Sequence, residues 1–299
     1  MKRIVCFLLA LFIYVVFTAC GTGQQPPSNT AGLPSAEPTP NLTAQPTAAP
    51  KEDPTIESTV IYDEGGVKVT AKSLNTGGML GPELNVLIEN GTDRNLTIQA
   101  QYATVNDYMI STIFSADVPA GKKANDSIVF EEWSLEDAGV EKIAEIELYL
   151  SIFETDTLDD YAKSGKITIP TSVAGSYTQQ VDRSGKKVLD VGGITVICKG
   201  IDPDGFLGPE IMFLIENGTN KDITVQADAV SVNGFAIDPI FSSDVLSGKR
   251  VVDSMTIMES DMEKNDINTI SEIEFSLVIF ESDTFEDIIK SEPITLNFE

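Results

Sequence analysis

The chain has 299 residues, 20 of them basic and 46 acidic, with no histidine and a formal net charge of −26. That length suits two ordinary domains, 42% hydrophobic residues can fill packed cores, and the excess of negative charge makes nucleic acid a poor partner. Without an imidazole, histidine-dependent triads, proton shuttles and most zinc sites are excluded.

The N-terminus opens with Met1-Lys2-Arg3, followed by an apolar run from Ile4 to Phe17 and then Thr18-Ala19-Cys20-Gly21. Two positive charges, an apolar stretch too short for a comfortable membrane span and small residues before the cysteine read as a secretion signal over 1–19, cut before Cys20. These residues resemble the lipobox of bacterial lipoproteins, with Phe17 where that family usually has leucine. The resemblance implies that Cys20 carries diacylglycerol and anchors the chain to the outer face of the cell membrane. Two acyl chains, at about 0.8 kcal/mol per buried methylene, make a stable anchor. Removing residues 1–19 leaves 18 basic against 46 acidic side chains, so the exported chain is expected at −28.

From 20 to 56 the composition turns to Pro, Thr, Ala, Gln and Ser, with prolines at 26, 27, 34, 38, 40, 46, 50 and 54. Such a segment forms no core and is expected to be a disordered, polyproline-like linker with a reach of roughly 110 Å at about 3.1 Å per residue. A spacer of that length favours a thick-walled, Gram-positive type of cell.

The remainder is one unit written twice. Adding 127 to a residue number in the first copy gives its counterpart in the second, from Gly65-Gly66 and Gly192-Gly193 through Ile167 and Ile294. The repeats are expected over 57–170 and 188–299, joined by a Gly-, Ser- and Gln-containing link over 171–187 that would let them move independently. A unit of about 110 residues is too long for a solenoid repeat and reads as a duplicated domain.

Its hydrophobic pattern has period two: Val67, Val69 and Ala71, then Leu84, Val86 and Ile88, then Leu96, Ile98 and Ala100, then Ile146, Leu148, Leu150 and Ile152. Alternation of this kind predicts strands with one buried face. Asn90-Gly91 and Asn217-Gly218 predict hairpin connections through positive φ. Ser134 three residues before Asp137 predicts a capped helix over Ser134–Gly139.

Seven or eight short strands with one small helical crossing predict an all-β fold of two tandem immunoglobulin-like β-sandwich domains. The pattern is similar to the uncharacterised immunoglobulin-like domains of secreted and lipid-anchored Gram-positive proteins, a family that brings no site with it. No disulfide is expected, because Cys6 leaves with the signal, Cys20 is acylated and Cys198 stands in the core alternation Ile194, Val196, Cys198.

Two features invite a functional reading. The loops Gly77–Pro82 and Asp204–Pro209 hold Met79, Leu80, Phe206 and Leu207 between glycines and a proline. Exposed, these residues would form apolar tips for an extracellular protein or glycan; folded back, they would cap the core, the reading favoured because duplicated copies keep packing residues too. The acidic runs Glu154, Asp156, Asp159, Asp160 and Glu281, Asp283, Glu286, Asp287 lack EF-hand spacing and read as solvated loops, so neither metal nor cofactor is assigned. No nucleophile elbow is present and an enzyme is not expected. The chain thus reads as a non-enzymatic, lipid-anchored surface protein that binds an extracellular macromolecule. A stalk protein with no ligand of its own and a calcium-responsive module are the alternatives.

Overall fold

The computed structural model describes residues 53–298; the expected signal peptide over 1–19, Cys20 and nearly all of the expected linker lie outside the described residues. In the first repeat the chain forms β1 (Thr59–Glu64), β2 (Val67–Asn75), β3 (Glu83–Asn90), β4 (Leu96–Val105), β5 (Tyr108–Met109), β6 (Thr112–Ile113), β7 (Ser115–Val118), β8 (Lys123–Phe130), α1 (Glu132–Asp137), β9 (Glu145–Glu154), β10 (Asp160–Lys163) and β11 (Ile167–Pro170). The second repeat runs β12 (Lys186–Val191), β13 (Ile194–Asp202), β14 (Glu210–Asn217), β15 (Ile223–Val232), β16 (Phe235–Ala236), β17 (Ser242–Val245), β18 (Arg250–Thr256), α2 (Glu259–Lys264), β19 (Glu272–Glu281), β20 (Asp287–Lys290) and β21 (Ile294–Asn297).

Each repeat is a sandwich of two antiparallel sheets. Strands β1-β2-β3-β8-β6 form one, and β4 and β9 carry β5, β7, β10 and β11 in the other. The chain changes sheet between β3 and β4, touches the first sheet at β6, pairs β7 with β4, returns at β8 to lie beside β3, and crosses through α1 to place β9 beside β4. The same path recurs from β12 to β21, including the β2 bulge at Ala71/Ser73, repeated at Cys198/Gly200. The fold is all-β, tandem and immunoglobulin-like in architecture. Alternation produces it directly: Leu84, Val86 and Ile88, and likewise Ile146, Leu148, Leu150 and Ile152, are buried between the sheets. Truncating one such buried aliphatic to alanine costs about 2–5 kcal/mol.

Two local expectations are corrected. Asn90-Gly91 is not a hairpin, because β3 and β4 belong to different sheets, and neither residue has positive φ. Asn90 is buried instead, and its side chain holds the crossing together. Nδ2 donates to the carbonyls of Arg94 and Val118 at 2.8 Å each, while Oδ1 accepts from the Thr92 amide at 3.0 Å. Asn217 repeats every bond with Lys221, Val245 and Thr219. Ser134 is not a helix cap. It lies inside α1, and its Oγ accepts from the Ser111 amide at 3.1 Å, tying the segment between β5 and β6 to the helix.

The link between the repeats is not the free tether expected. Thr171 donates to the Ile143 carbonyl at 2.8 Å, Gln179 donates to the Gly139 carbonyl at 2.8 Å, and Arg183 meets Glu216 through two 2.8 Å bonds. The repeats themselves dock. β5 pairs in parallel with β18 at Tyr108 and Arg250, joining one sheet of each repeat into a ten-stranded whole. Ile197 and Leu214, on the outer face of the second repeat's sheet, are buried in the first repeat's core cluster, with Val252 packed beside them.

Candidate functional site

The two apolar loops are built alike. The Gly81 amide donates to the Gly78 carbonyl at 3.4 Å, and the Gly208 amide to that of Gly205 at 3.2 Å, closing a tight turn with two residues at its apex. The loop's back is tied to the segment between the last strand of its sheet and the helix. Glu132 N donates to the Leu80 carbonyl and Phe130 N to that of Pro82, as Glu259 N does to Leu207 and Ile257 N to Pro209, at 2.8–3.0 Å. Gly81 and Gly208 sit at φ +132° and +137°, and a Cβ on either would run into the carbonyl oxygen of Phe130 or Ile257. Only glycine therefore lets the loop approach this closely.

With both ends clamped, the apex side chains have nowhere to fold back. Met79 is 94% exposed and Phe206 97%, with Leu80 and Leu207 at 56% and 45%. The core-capping reading fails for all four residues. The reason lies in geometry that the sequence pattern does not carry, since the glycine-clamped turn directs its apex away from the sandwich. Sequence reasoning also missed Trp133, which is 54% exposed on α1, one residue after the amide that binds Leu80. Its position in the second repeat is Ser260, so the tips are not equivalent: a methionine tip beside tryptophan in one copy, and a phenylalanine tip without it in the other. Beside the first tip, Pro54, Pro82, Leu135 and Val140 line a cleft of about 310 Å³ with Glu132 and Glu136.

The acidic runs do not converge. Glu154 pairs with Arg94 and Glu281 with Lys221, and Asp156 accepts from Asn95 at 3.3 Å. Among the described residues no three metal-capable side chains come together. Cys198 is a buried thiol whose pKa is pushed up by burial, so its reactive thiolate form is disfavoured.

No family model matches the chain, and no curated protein matches it. Solved structures with partial likeness include the SafA pilin in complex with the SafB chaperone from Salmonella enterica, 12% identical with a TM-score of 0.24, covering 79% of this chain and 98% of that one. The YadV chaperone is 9% identical, with a TM-score of 0.23 and coverage of 72% and 92%. A protein of unknown function from Porphyromonas gingivalis W83 is 11% identical, with a TM-score of 0.21 and coverage of 78% and 100%.

Proposed function

We propose that this is a non-enzymatic, lipid-anchored protein of the bacterial cell surface, of Gram-positive type, whose two sandwich domains bind an extracellular protein or glycan through the loop tips. The observation that supports this reading is the exposure of bulky apolar side chains on rigidly clamped loops in both copies. Leaving a large apolar side chain in water forgoes about 1.5–3 kcal/mol that its burial would supply. A partner surface that covers Met79 and Leu80, or Phe206 and Leu207, recovers that energy on binding. The clamped backbone reduces the ordering cost. Two linked sites of modest strength can exceed either alone by roughly 10² to 10⁴ where geometry allows.

Anchoring and binding are tested separately. Cys20→Ser is expected to release the protein from the membrane fraction into the medium, and continued membrane retention would remove the diacylglycerol anchor from the proposal. For binding, the immobilised protein and a variant with serine at positions 79, 80, 206 and 207 are exposed to envelope extract and culture fluid. A partner held by the native chain and lost by the variant, with thermal midpoints matched, supports the tip reading. Equal retention moves the site elsewhere, and no partner at all favours the stalk alternative.

A further inference from the structure

The docking of the two repeats is head to tail, using one side of the first and a different side of the second. On the first repeat the contributing groups are Asp107 on the β4–β5 turn, Tyr108 and Met109 on β5, and Glu147 on β9. On the second they are Leu246 and Lys249 in the β17–β18 connection and Arg250 at the start of β18. Lys249 Nζ lies 2.6 Å from both Asp107 and Glu147, Arg250 N donates to the Asp107 carbonyl at 3.1 Å, and the Arg250 guanidinium lies 5.2 Å from the Tyr108 ring centre. The Leu246 amide sits 3.2 Å from the Met109 sulfur.

A heterologous contact uses one half on each repeat, so each repeat retains the counterpart of the half its neighbour supplies. On the second repeat, Phe235 and Glu274 occupy the positions of Tyr108 and Glu147. On the first, Lys122 and Lys123 occupy those of Lys249 and Arg250. All four are exposed, Phe235 at 47%. The correspondence extends to their neighbours: Lys123 pairs with Glu89 as Arg250 pairs with Glu216, and Leu87 stands half-buried where Leu214 is buried. The free half of β8 beside Lys123 matches the edge of β18 that accepts β5.

What the second copy has lost is equally informative. Tyr102, Tyr149, Met109 and Asp107 correspond to Ala229, Ser276, Ala236 and Gly234. Ile197 and Val252 correspond to Thr70 and Asn125 in the first copy. The apolar groups packed across the internal docking at Met109, Ile197 and Val252 have no apolar counterpart of like size in the open halves, while the cations, the carboxylate and the ring remain. A contact built from those alone is weak and reversible.

We propose that a second copy of this chain occupies the open halves: the second repeat of one molecule docks on the first repeat of the next, with Lys122 meeting Glu274 and Lys123 lying over Phe235. The arrangement is open-ended, so it extends as a string rather than closing as a dimer. Its natural setting is a crowded surface, where local concentration offsets low affinity and the mutual repulsion of acidic chains.

The test uses the chain from residue 20 onward carrying Cys20→Ser, so that no lipid drives aggregation, followed by sedimentation velocity up to about 1 mM, the range in which contacts of this strength populate. The sedimentation coefficient is expected to rise with concentration. Glu274→Lys alone and Lys122→Glu alone should each weaken association about tenfold or more without changing the thermal midpoint. Mixing the two variants should restore it, because each then finds one opposite charge and one native pair. A wild-type chain that stays monomeric, association indifferent to either swap, or a mixture that fails to recover would each overturn the proposal.

Discussion

Lys249 of the second repeat and Glu147 of the first meet at 2.6 Å with their side chains only 10% and 5% exposed. Each lies on a face that would be open to solvent if its repeat stood alone, so docking itself supplies the low-dielectric setting. Lys166 binds the other Glu147 oxygen at 2.9 Å and Asp107 binds the other side of the ammonium at 2.6 Å. The four charges neutralise one another, and that balance allows two of them to be buried.

Removing one member should therefore destabilise the chain. Lys249→Met leaves Glu147 covered with Lys166 as its remaining cation, and a loss of about 3 kcal/mol is expected. Urea unfolding measures it. A loss below about 0.5 kcal/mol would mean that the ion cluster lies as good as exposed in solution and that Ile197, Leu214 and Val252 carry the docking alone.

The same cluster sets a pH window. Burial pushes the Glu147 carboxyl up, but the hydrogen bonds and charges of Lys249 and Lys166 outweigh it and hold the group below its ordinary 4.5. The unfolded chain then binds more protons as pH falls. The contribution is full above pH 4.5 and is lost as pH drops through the folded value. For Lys249, burial lowers the pKa and Asp107 and Glu147 raise it further than burial lowers it, so its contribution is full below 10.5 and is lost as pH rises through the folded value. Subtracting the urea-derived stability of Glu147→Gln from that of the native chain across pH should give a difference that shrinks on the acid side. A difference flat from pH 3 to 7 would contradict the assignment.

Asn90 and Asn217 should be the most sensitive polar positions outside that cluster. Asn90→Ala removes the buried donor to the Val118 carbonyl, the part-buried donor to that of Arg94 and the acceptor of the Thr92 amide. A loss of about 2–4 kcal/mol is expected, with Asn217→Ala similar. Asn90→Asp keeps the acceptor but turns a carboxylate oxygen toward both carbonyls, so calorimetry should show a loss at least as large as that of Asn90→Ala.

How much of this was legible in the sequence depends on how far apart the cooperating residues lie. Val67, Val69 and Ala71 could be placed on a buried face because alternation is a property of neighbours. Asn90 reads as a hairpin residue because Asn-Gly signals a turn locally, whereas its carboxamide works on Val118, 28 residues later. Ser134 reads as a cap for a similar reason, its partner being Ser111 in another segment. The docking face left a signal that only a comparison of the two copies exposes. Ile197 and Val252 are apolar at outward positions where the first copy has Thr70 and Asn125. The direction of the Met79 and Phe206 side chains left none, because it follows from the closeness of Gly81 to the Phe130 carbonyl and of Gly208 to that of Ile257.

The hairpin residues Leu158 and Phe285 carry backbone strain in both copies. They lie at φ +63° and +58°, a region costing a branched or bulky residue about 1–2 kcal/mol, and Leu158 is 72% exposed. Leu158→Gly should raise stability by about 0.5 kcal/mol once the added freedom of the unfolded glycine is counted. Phe285→Gly should gain less, since its ring stands 5.9 Å from that of Phe280. Paired thermal melts decide it, and destabilisation by Leu158→Gly would show that the side chain contributes packing despite its exposure.

The loop tips allow backbone and side-chain roles to be separated. At Gly81 and Gly208 an alanine methyl would strike a backbone carbonyl that has no rotamer by which to withdraw, and the positive φ adds to the cost. Gly81→Ala and Gly208→Ala should each cost about 2–4 kcal/mol. Met79→Ser and Phe206→Ser, at apex positions nearly free of contact, should stay within about 0.5 kcal/mol of the native chain. Thermal and urea unfolding of the four variants would show whether the loop is a rigid support for side chains that the fold does not need. If the serine variants proved as damaging as the alanine ones, the apex residues would be part of the domain's packing and no longer a surface held ready for a partner.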